Sequence, residues 1–292
     1  MLEMAKLYVG SCGWKYDSWR GLVYTDKPEV NYLREYSECY DAVEIQQWYF
    51  SLHGSNKVVL PKPEIVTAFK NSVHKDFKFS ITIPNSITLT HLNHTENEEE
   101  LIPNGHFLSS NLLEEFLLTI KPLKHNLGAL IFQFEYLNKL KMKSQIELQG
   151  LLREFIAKLP TGFRFAIETR NPSYLNEEYF LFLRDSKVSH VFLQGYDMPD
   201  IFDLHKRYKD YVKDYAVIRL QGEDKKGIET RSGGAWNKIL ENKNDELLRL
   251  VEMIGELLER NIDVYLSVNN HYEGSAPLTI AKIQKMMREK SN

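Results

Sequence analysis

The sequence predicts a (β/α)8 barrel of the TIM type, with some units irregular. Short apolar runs rich in Val, Ile, Phe and Tyr recur along the chain, and longer segments with helical spacing of apolar residues lie between them. Eight such runs share 292 residues. This leaves about 36 residues per unit, close to the length of a βαβ unit. An open doubly wound sheet is the alternative, but no GxGxxG motif follows the first run.

The eight runs are nearly continuous in apolar residues, as expected of parallel strands that are buried on both faces. They comprise residues 6–10, 42–45, 77–83, 127–134, 163–168, 188–193, 215–220 and 262–268. No linker rich in Gly, Pro or Ser interrupts them. We therefore predict a single domain over residues 1–292.

Helices are predicted in the intervals between these runs. Residues 28–39 start with Pro28, and residues 110–121, 145–159 and 246–260 repeat apolar residues at helical spacing. The remaining intervals predict helices with less regular patterns, at residues 63–71, 176–185, 198–208 and 277–287.

Composition limits the classes of function. Lys and Arg number 37 against 40 Asp and Glu, so the net charge of −3 provides no general attraction to nucleic acid. The two cysteines cannot build a disulfide framework, and no apolar stretch approaches the roughly 20 residues of a membrane span. A cytoplasmic protein with no membrane partner is expected. The acidic run within residues 96–100 is expected to be an exposed loop.

In a barrel of this type, ligands bind at the carboxyl ends of the strands, so the residues that follow each run are the candidates. Glu44 and Glu168 each directly follow apolar residues of a run, and we predict them as the catalytic acid and base. The alternative is that each forms only an ion pair. Arg170 lies two residues after Glu168, on the same face of an extended chain.

Arg219 stands between Ile218 and Leu220 in a strand that is otherwise uncharged. A buried unpaired charge costs several kcal/mol, so Arg219 is expected to be paired or to bind a ligand. A salt bridge to Glu44 or Glu168 satisfies the first condition. The planar guanidinium also suits a carboxylate or a phosphate.

The other predicted ligand-binding residues are amides and aromatic rings near the strand ends. The aromatic rings could stack on a sugar or base, or could pack a long first loop over the barrel. Including the arginines, the predicted set comprises Trp14, Tyr16, Trp19, Tyr49, Gln133, Arg170, Arg219, Asn269 and Asn270.

The sequence indicates no particular cofactor and predicts no metal ligands. HExxH and paired CxxC motifs are absent, although His91 and His94 lie three residues apart. A divalent cation held by Glu44, Glu168 and His271 is the less favoured alternative. The segment after the seventh run, QGEDKKGIETRSGGAW, is expected to be a loop, either plainly exposed or gripping phosphate through its amides.

Seven segments resemble the YecE-like family, which is a domain of unknown function. They are VGSCGWKYDSWRGLVY, YDAVEIQQWYFSL, FKFSITIPNSIT, LGALIFQF, FAIETRNPSY, YAVIRLQG and VYLSVNNHYEGSAPLT, in this order between residues 7 and 280. The resemblance implies one TIM-type barrel and a shared site at its mouth. The residues that match the family's motifs are Gly13, Trp14, Tyr16, Trp19, Glu44, Tyr49, Gln133, Glu168, Arg170, Arg219, Gly222, Asn269 and Asn270.

The chain departs from this family at two positions. Thr82 stands where many members carry a lysine, and Gln221 stands where many carry a histidine. If either of these groups is the family's proton carrier, this chain would be a poor catalyst.

We expect the barrel mouth to bind a small anionic or polyhydroxylated ligand, with or without acid–base chemistry. A nucleic-acid-binding or -processing barrel and a non-catalytic scaffold are the alternatives.

Overall fold

The structure is a computed structural model that describes residues 4–54, 56–92 and 101–291. His94 and the acidic run within residues 96–100 lie outside the described residues.

Eight parallel strands form a nearly closed barrel, which confirms the predicted fold class. The order of strands in the sheet is β1, β10, β9, β8, β7, β6, β5 and β2. Consecutive strands along the chain are therefore neighbours, as crossover helices require. The barrel strands are β1 (Leu7–Ser11), β2 (Ala42–Ile45), β5 (Lys78–Thr82), β6 (Leu127–Gln133), β7 (Arg164–Glu168), β8 (Ser189–Gly195), β9 (Tyr215–Gly222) and β10 (Asp263–Val268).

The Tyr36 hydroxyl joins the two strands at which the barrel closes. It accepts hydrogen bonds from the Ser11 backbone N–H and the Ser11 hydroxyl, both at 2.8 Å, and donates to the Ala42 carbonyl at 3.1 Å. A Cβ atom on Gly10 would overlap that same carbonyl, so β1 and β2 approach closely only because residue 10 is glycine. A side chain thus links β1 to β2 across this seam.

Helices cover the outside of the barrel. They are α1 (Tyr32–Cys39), α2 (Pro63–Ser72), α3 (Asn85–Thr88), α4 (Ser110–Thr119), α5 (Gln145–Ile156), α6 (Glu177–Asp185), α7 (Ile201–Tyr208), α8 (Lys225–Ser232), α9 (Asn244–Glu259), α10 (Asn270–Glu273) and α11 (Ala276–Ser291). Among the described residues, no helix is long and apolar enough to cross a membrane.

Two predicted helices begin later than their patterns suggested. The first begins at Tyr32 rather than residue 28, because the Asn31 side chain accepts the Arg34 N–H and fixes the start there. The helix predicted over residues 198–208 begins at Ile201, where the Asp200 carboxylate accepts two backbone N–H groups.

Several elements were not predicted. A short hairpin, β3 (Leu52–His53) with β4 (Lys57–Val58), follows β2. The segment after β9 is not a plain loop as predicted, because it contains α8, which holds a single glycine, Gly227. The Asp224 carboxylate accepts the Gly227 N–H at 2.8 Å and caps this helix.

The barrel interior is filled by side chains from alternate strand positions. The half of the interior nearer the amino ends of the strands contains a cluster of buried hydrophobic side chains from β6 to β10. The Tyr8 and Tyr265 rings stack there with their centroids 5.0 Å apart. The same alternation continues upwards along β9 from Val217 to Arg219 and Gln221. Along β9, charged and amide side chains thus replace apolar ones towards the carboxyl end of the strand.

Candidate functional site

A buried ionic cluster lies at the carboxyl end of the barrel, centred on Arg219. Its guanidinium donates to both carboxylate oxygens of Glu44, at 2.8 and 3.1 Å, and to the side-chain Oε1 of Gln133 at 2.8 Å. It also donates to Glu168. β2, β6, β7 and β9 each supply one of these residues. The predicted pairing of Arg219 is confirmed, and it involves both carboxylates.

The cluster pairs two arginines with two glutamates, and three of these four side chains are shielded from solvent. Glu44 and Glu168 have no exposed side-chain surface, and Arg219 has 2%. Burial alone would raise the pKa of Glu168, but the guanidinium groups of Arg219 and Arg170 hold it below its ordinary value. Burial alone would lower the pKa of Arg219, but the carboxylates of Glu168 and Glu44 raise it above its ordinary value. Two cations therefore face two anions.

Arg170 is the partly exposed member of this cluster. Its Nε and Nη2 atoms both lie 2.7 Å from Glu168 Oε1, and 19% of its side chain is exposed. The guanidinium carbon lies 4.3 Å from the centre of the Tyr196 ring. The arginine is thus held by a carboxylate on one side and a ring on the other, which fixes its orientation.

An open cleft of about 630 Å³ adjoins Arg170. Tyr49, Gln133, Glu135 and Tyr196 also line it. The Tyr49 hydroxyl hydrogen-bonds the Gln133 side chain. Burial raises the pKa of Tyr49 and of Tyr196, so both hydroxyls stay protonated at neutral pH. The cleft therefore offers hydroxyl groups and rings beside a fixed cation.

Glu135 contributes an unusual feature to this cleft. Its Oε2 pairs with Lys141 at 2.7 Å, but its Oε1 is buried and has no hydrogen-bond partner among the described residues. A buried carboxylate oxygen without a donor is costly.

A chain of weaker contacts extends the cluster around the barrel. The Thr82 hydroxyl donates to Glu44 Oε1 at 3.2 Å, and Gln221 Nε2 lies 3.3 Å from the Cys12 sulfur. Asn269 Nδ2 donates to Gln221 Oε1 at 2.7 Å. The two positions at which the chain departs from the YecE-like pattern are thus built into this layer as hydrogen-bonding groups. Burial raises the pKa of the Cys12 thiol, which disfavours the thiolate.

Two of the predicted binding residues are packed in the core. Trp19 has no exposed surface and donates its indole N–H to the Trp236 carbonyl at 3.0 Å. Trp14 is buried edge-on against Phe69 of α2. Their rings are covered by protein, so the packing alternative describes them and stacking on a ligand does not.

Tyr16 and Asn270 form a separate pair on the β10 side of the barrel. The Tyr16 hydroxyl hydrogen-bonds the Asn270 side chain, and burial raises the pKa of Tyr16 to about 12. Asn270 is itself buried, and its side-chain Oδ1 accepts the Ala276 N–H at 2.9 Å. Neither residue lines the cleft beside Arg170.

The described residues contain no group of three or more His, Cys, Asp and Glu that is placed to hold a metal ion. Both Glu44 and Glu168 already face Arg219. His271 Nε2 lies 3.1 Å from Glu229 Oε1, so this histidine pairs with α8 and not with Glu44 or Glu168. At the start of α8, the Asp224 carboxylate accepts the Gly227 N–H, so a carboxylate already occupies the helix end at which a phosphate would bind.

The predicted site leaves out Tyr196 and Glu135. Both come after apolar runs, so the strand-end rule includes them among the candidates, but the sequence alone gives them no role. What it could not show is that Tyr196 stacks on Arg170, or that Lys141 satisfies only one oxygen of Glu135.

Fold and site together define a TIM-type barrel with a neutral ionic cluster at its mouth. The chain belongs to the DUF72 family, described as a protein of unknown function, whose model matches residues 8–292.

Several known proteins are similar to this chain. The UPF0759 protein YecE of Escherichia coli K12 is 25% identical over 171 residues, which is 58% of this chain and 50% of that protein. The alignment therefore spans only half of the relative. A DUF72 family protein from Thermotoga maritima has a TM-score of 0.67 at 21% identity, covering 97% of this chain and 99% of its own. One from Enterococcus faecalis has a TM-score of 0.66 at 18% identity, covering 97% and 95%. At these identities the solved structures confirm the fold alone.

Proposed function

We propose that the barrel mouth binds a small anionic, polyhydroxylated molecule in the cleft beside Arg170. The observation that carries this proposal is a partly exposed guanidinium, oriented by Glu168 and Tyr196, at the edge of a cleft of about 630 Å³. Pockets for small ligands have volumes of this order and combine a few fixed polar groups with rings.

Arg170 supplies the recognition of the anion. Its Nε and Nη2 atoms face Glu168, so its Nη1 atom remains available to a carboxylate or phosphate. Arg219 cannot serve in the same way, because it is buried and its donors already face Glu44, Glu168 and Gln133.

The other walls of the cleft suit hydroxyl groups. Glu135 Oε1 needs a donor, and the hydroxyls of Tyr49 and Tyr196 can donate or accept. Tyrosine rings also pack against the C–H faces of sugars and sugar acids. A sugar acid or sugar phosphate combines these groups in one molecule.

Acid–base chemistry at Glu168 depends on Arg170. In the ligand-free arrangement the carboxylate is ionised and both its oxygens are paired, which makes it a weak base. An anionic ligand that draws Arg170 away would release Oε1 towards the cleft. Glu44 lies deeper, and acts in this proposal by holding Arg219.

Binding can be tested by calorimetric titration with gluconate, glucose 6-phosphate and glucose. We expect the two anions to bind more tightly than glucose, and Arg170→Gln to weaken both about tenfold or more, as loss of a charge-assisted hydrogen bond does. Arg164→Gln is the matched control, because Arg164 begins the same strand at the opposite end of the barrel. Equal affinities in the two variants would refute the proposal.

A non-catalytic scaffold is the second candidate, and the neutrality of the cluster favours it. Four charges that satisfy one another need no ligand. Under this hypothesis none of the three probes binds to the wild-type protein. The described residues provide no observation that favours nucleic acid, since Trp19 is buried and Arg231 pairs with Glu241.

A further inference from the structure

A second cavity lies on the far side of β8, away from the barrel mouth. It has a volume of about 390 Å³ and lies where α6 packs over the first residues of β8 and β9. Phe180, Leu183, Val188 and Val212 are buried apolar residues that line it. Nothing in the proposed function of the mouth uses this cavity.

His190 lines the cavity and has one unsatisfied ring nitrogen. Its Nδ1 atom lies 3.1 Å from the Tyr179 hydroxyl, whereas its Nε2 atom is buried without a partner among the described residues. Only 4% of the residue is exposed. Buried polar atoms are nearly always hydrogen-bonded, so this one needs an explanation.

The surroundings of His190 keep its ring neutral and fixed. Rings of Tyr179, Phe180 and Phe192 lie edge-on to the imidazole at 5.0 to 5.6 Å between centroids. Burial lowers the pKa of His190 to about 3, so the imidazole carries no charge at neutral pH. A hydroxyl suits either tautomer, because it both donates and accepts.

The rim of the cavity is positively charged. Lys187 and Lys213 stand in the turns that enter β8 and β9, both are exposed, and neither forms an ion pair among the described residues. Arg184 also lines the rim but pairs with Asp185 at 2.8 Å. Asp214 is the one carboxylate among the described residues of the rim, so cations predominate there.

We propose that this cavity binds a small hydroxyaryl carboxylate. The aryl ring would pack among the apolar walls, the hydroxyl would bond His190 Nε2, and the carboxylate would lie between Lys187 and Lys213. This assignment uses the volume, the orphaned nitrogen and the cationic rim together. The aryl ring accounts for the apolar walls, the hydroxyl for the unpaired ring nitrogen and the carboxylate for the cationic rim.

Three probes separate these contributions in a calorimetric titration of the full chain. 4-Hydroxyphenylacetate carries all three features, phenylacetate lacks the hydroxyl, and tyramine replaces the carboxylate by an ammonium group. We expect phenylacetate to bind about fivefold more weakly than 4-hydroxyphenylacetate, because it lacks the hydrogen bond to His190. Tyramine should bind more weakly by about tenfold or more, because its ammonium group is repelled by the cationic rim. Imidazole ¹⁵N spectra should show the His190 Nε2 resonance moving only with 4-hydroxyphenylacetate; His190→Gln assigns that resonance.

Surface variants test the rim without disturbing the core. Lys187→Gln with Lys213→Gln should weaken 4-hydroxyphenylacetate about fivefold. The matched control is Lys225→Gln with Lys226→Gln, which removes the same charge from α8 and should change nothing. Arg170→Gln should also leave this binding unchanged, which separates the cavity from the mouth. Equal affinities for the three probes, an unmoved Nε2 resonance, or no binding at all would overturn the proposal and leave a buried water as the partner of His190.

Discussion

Replacing Arg219 by methionine should destabilise the protein strongly and in a pH-dependent manner. Arg219 is the counter-ion of Glu44, which has no exposed surface and no other cationic partner within salt-bridge distance among the described residues. Removing one partner of a buried ion pair costs roughly 3–5 kcal/mol of unfolding free energy. At 2–4 °C per kcal/mol for a chain of this size, the melting temperature at pH 7.5 should fall by roughly 10 °C.

The sign of the pH dependence follows from Glu168. In the wild type, the lowered pKa of Glu168 contributes stability that is present above its unfolded-state pKa and is lost as the pH falls through the folded-state value. Arg219→Met lacks the part of this contribution that Arg219 supplies. The difference in melting temperature between the two proteins should therefore be fully present at pH 7.5 and should shrink at about pH 4.

Calorimetric melting at the two pH values measures this effect. Arg164→Met is the control, because Arg164 is 45% exposed and its ion pair with Asp263 spans 3.4 Å, so its loss should cost less than about 1 kcal/mol. Adding Glu44→Gln to Arg219→Met should recover part of the lost stability at pH 7.5. The reasoning is refuted if Arg219→Met melts within 2 °C of the control at pH 7.5, or if the double variant is less stable than the single one.

Three further predictions concern the barrel seam and the cysteines. Tyr36→Phe should lower the free energy of unfolding by about 1–3 kcal/mol in urea denaturation, since Ser11 and Ala42 lose their shared partner; an unchanged midpoint would contradict the bridging role. Gly10→Ala should lower the free energy of unfolding still more, because the new methyl group overlaps the Ala42 carbonyl. A melting temperature equal to that of the wild type would show that β1 and β2 can move apart without cost. In thiol titration at pH 8 the exposed Cys39 should react in the native protein and the buried Cys12 only after unfolding; two fast thiols would show that Cys12 is accessible.

Much of the barrel was predictable because parallel strands buried on both faces leave a simple pattern of apolar runs. The same pattern located Glu44, Glu168 and Arg219, since charged residues at the ends of such runs stand out. It also indicated that Arg219 must be paired. The hairpin after β2 and the helix α8 were missed, because short strands and glycine-containing helices carry little periodic signal.

The sequence by itself determined the order of the strands, the residues at their carboxyl ends and the need to neutralise Arg219. Only the tertiary structure decided that both carboxylates share this arginine, that Arg170 is left at the cleft and that Trp14 and Trp19 are covered. The reason is physical: periodicity specifies which face of a strand is buried, whereas the neighbours of a side chain depend on the register between strands that are distant in the chain.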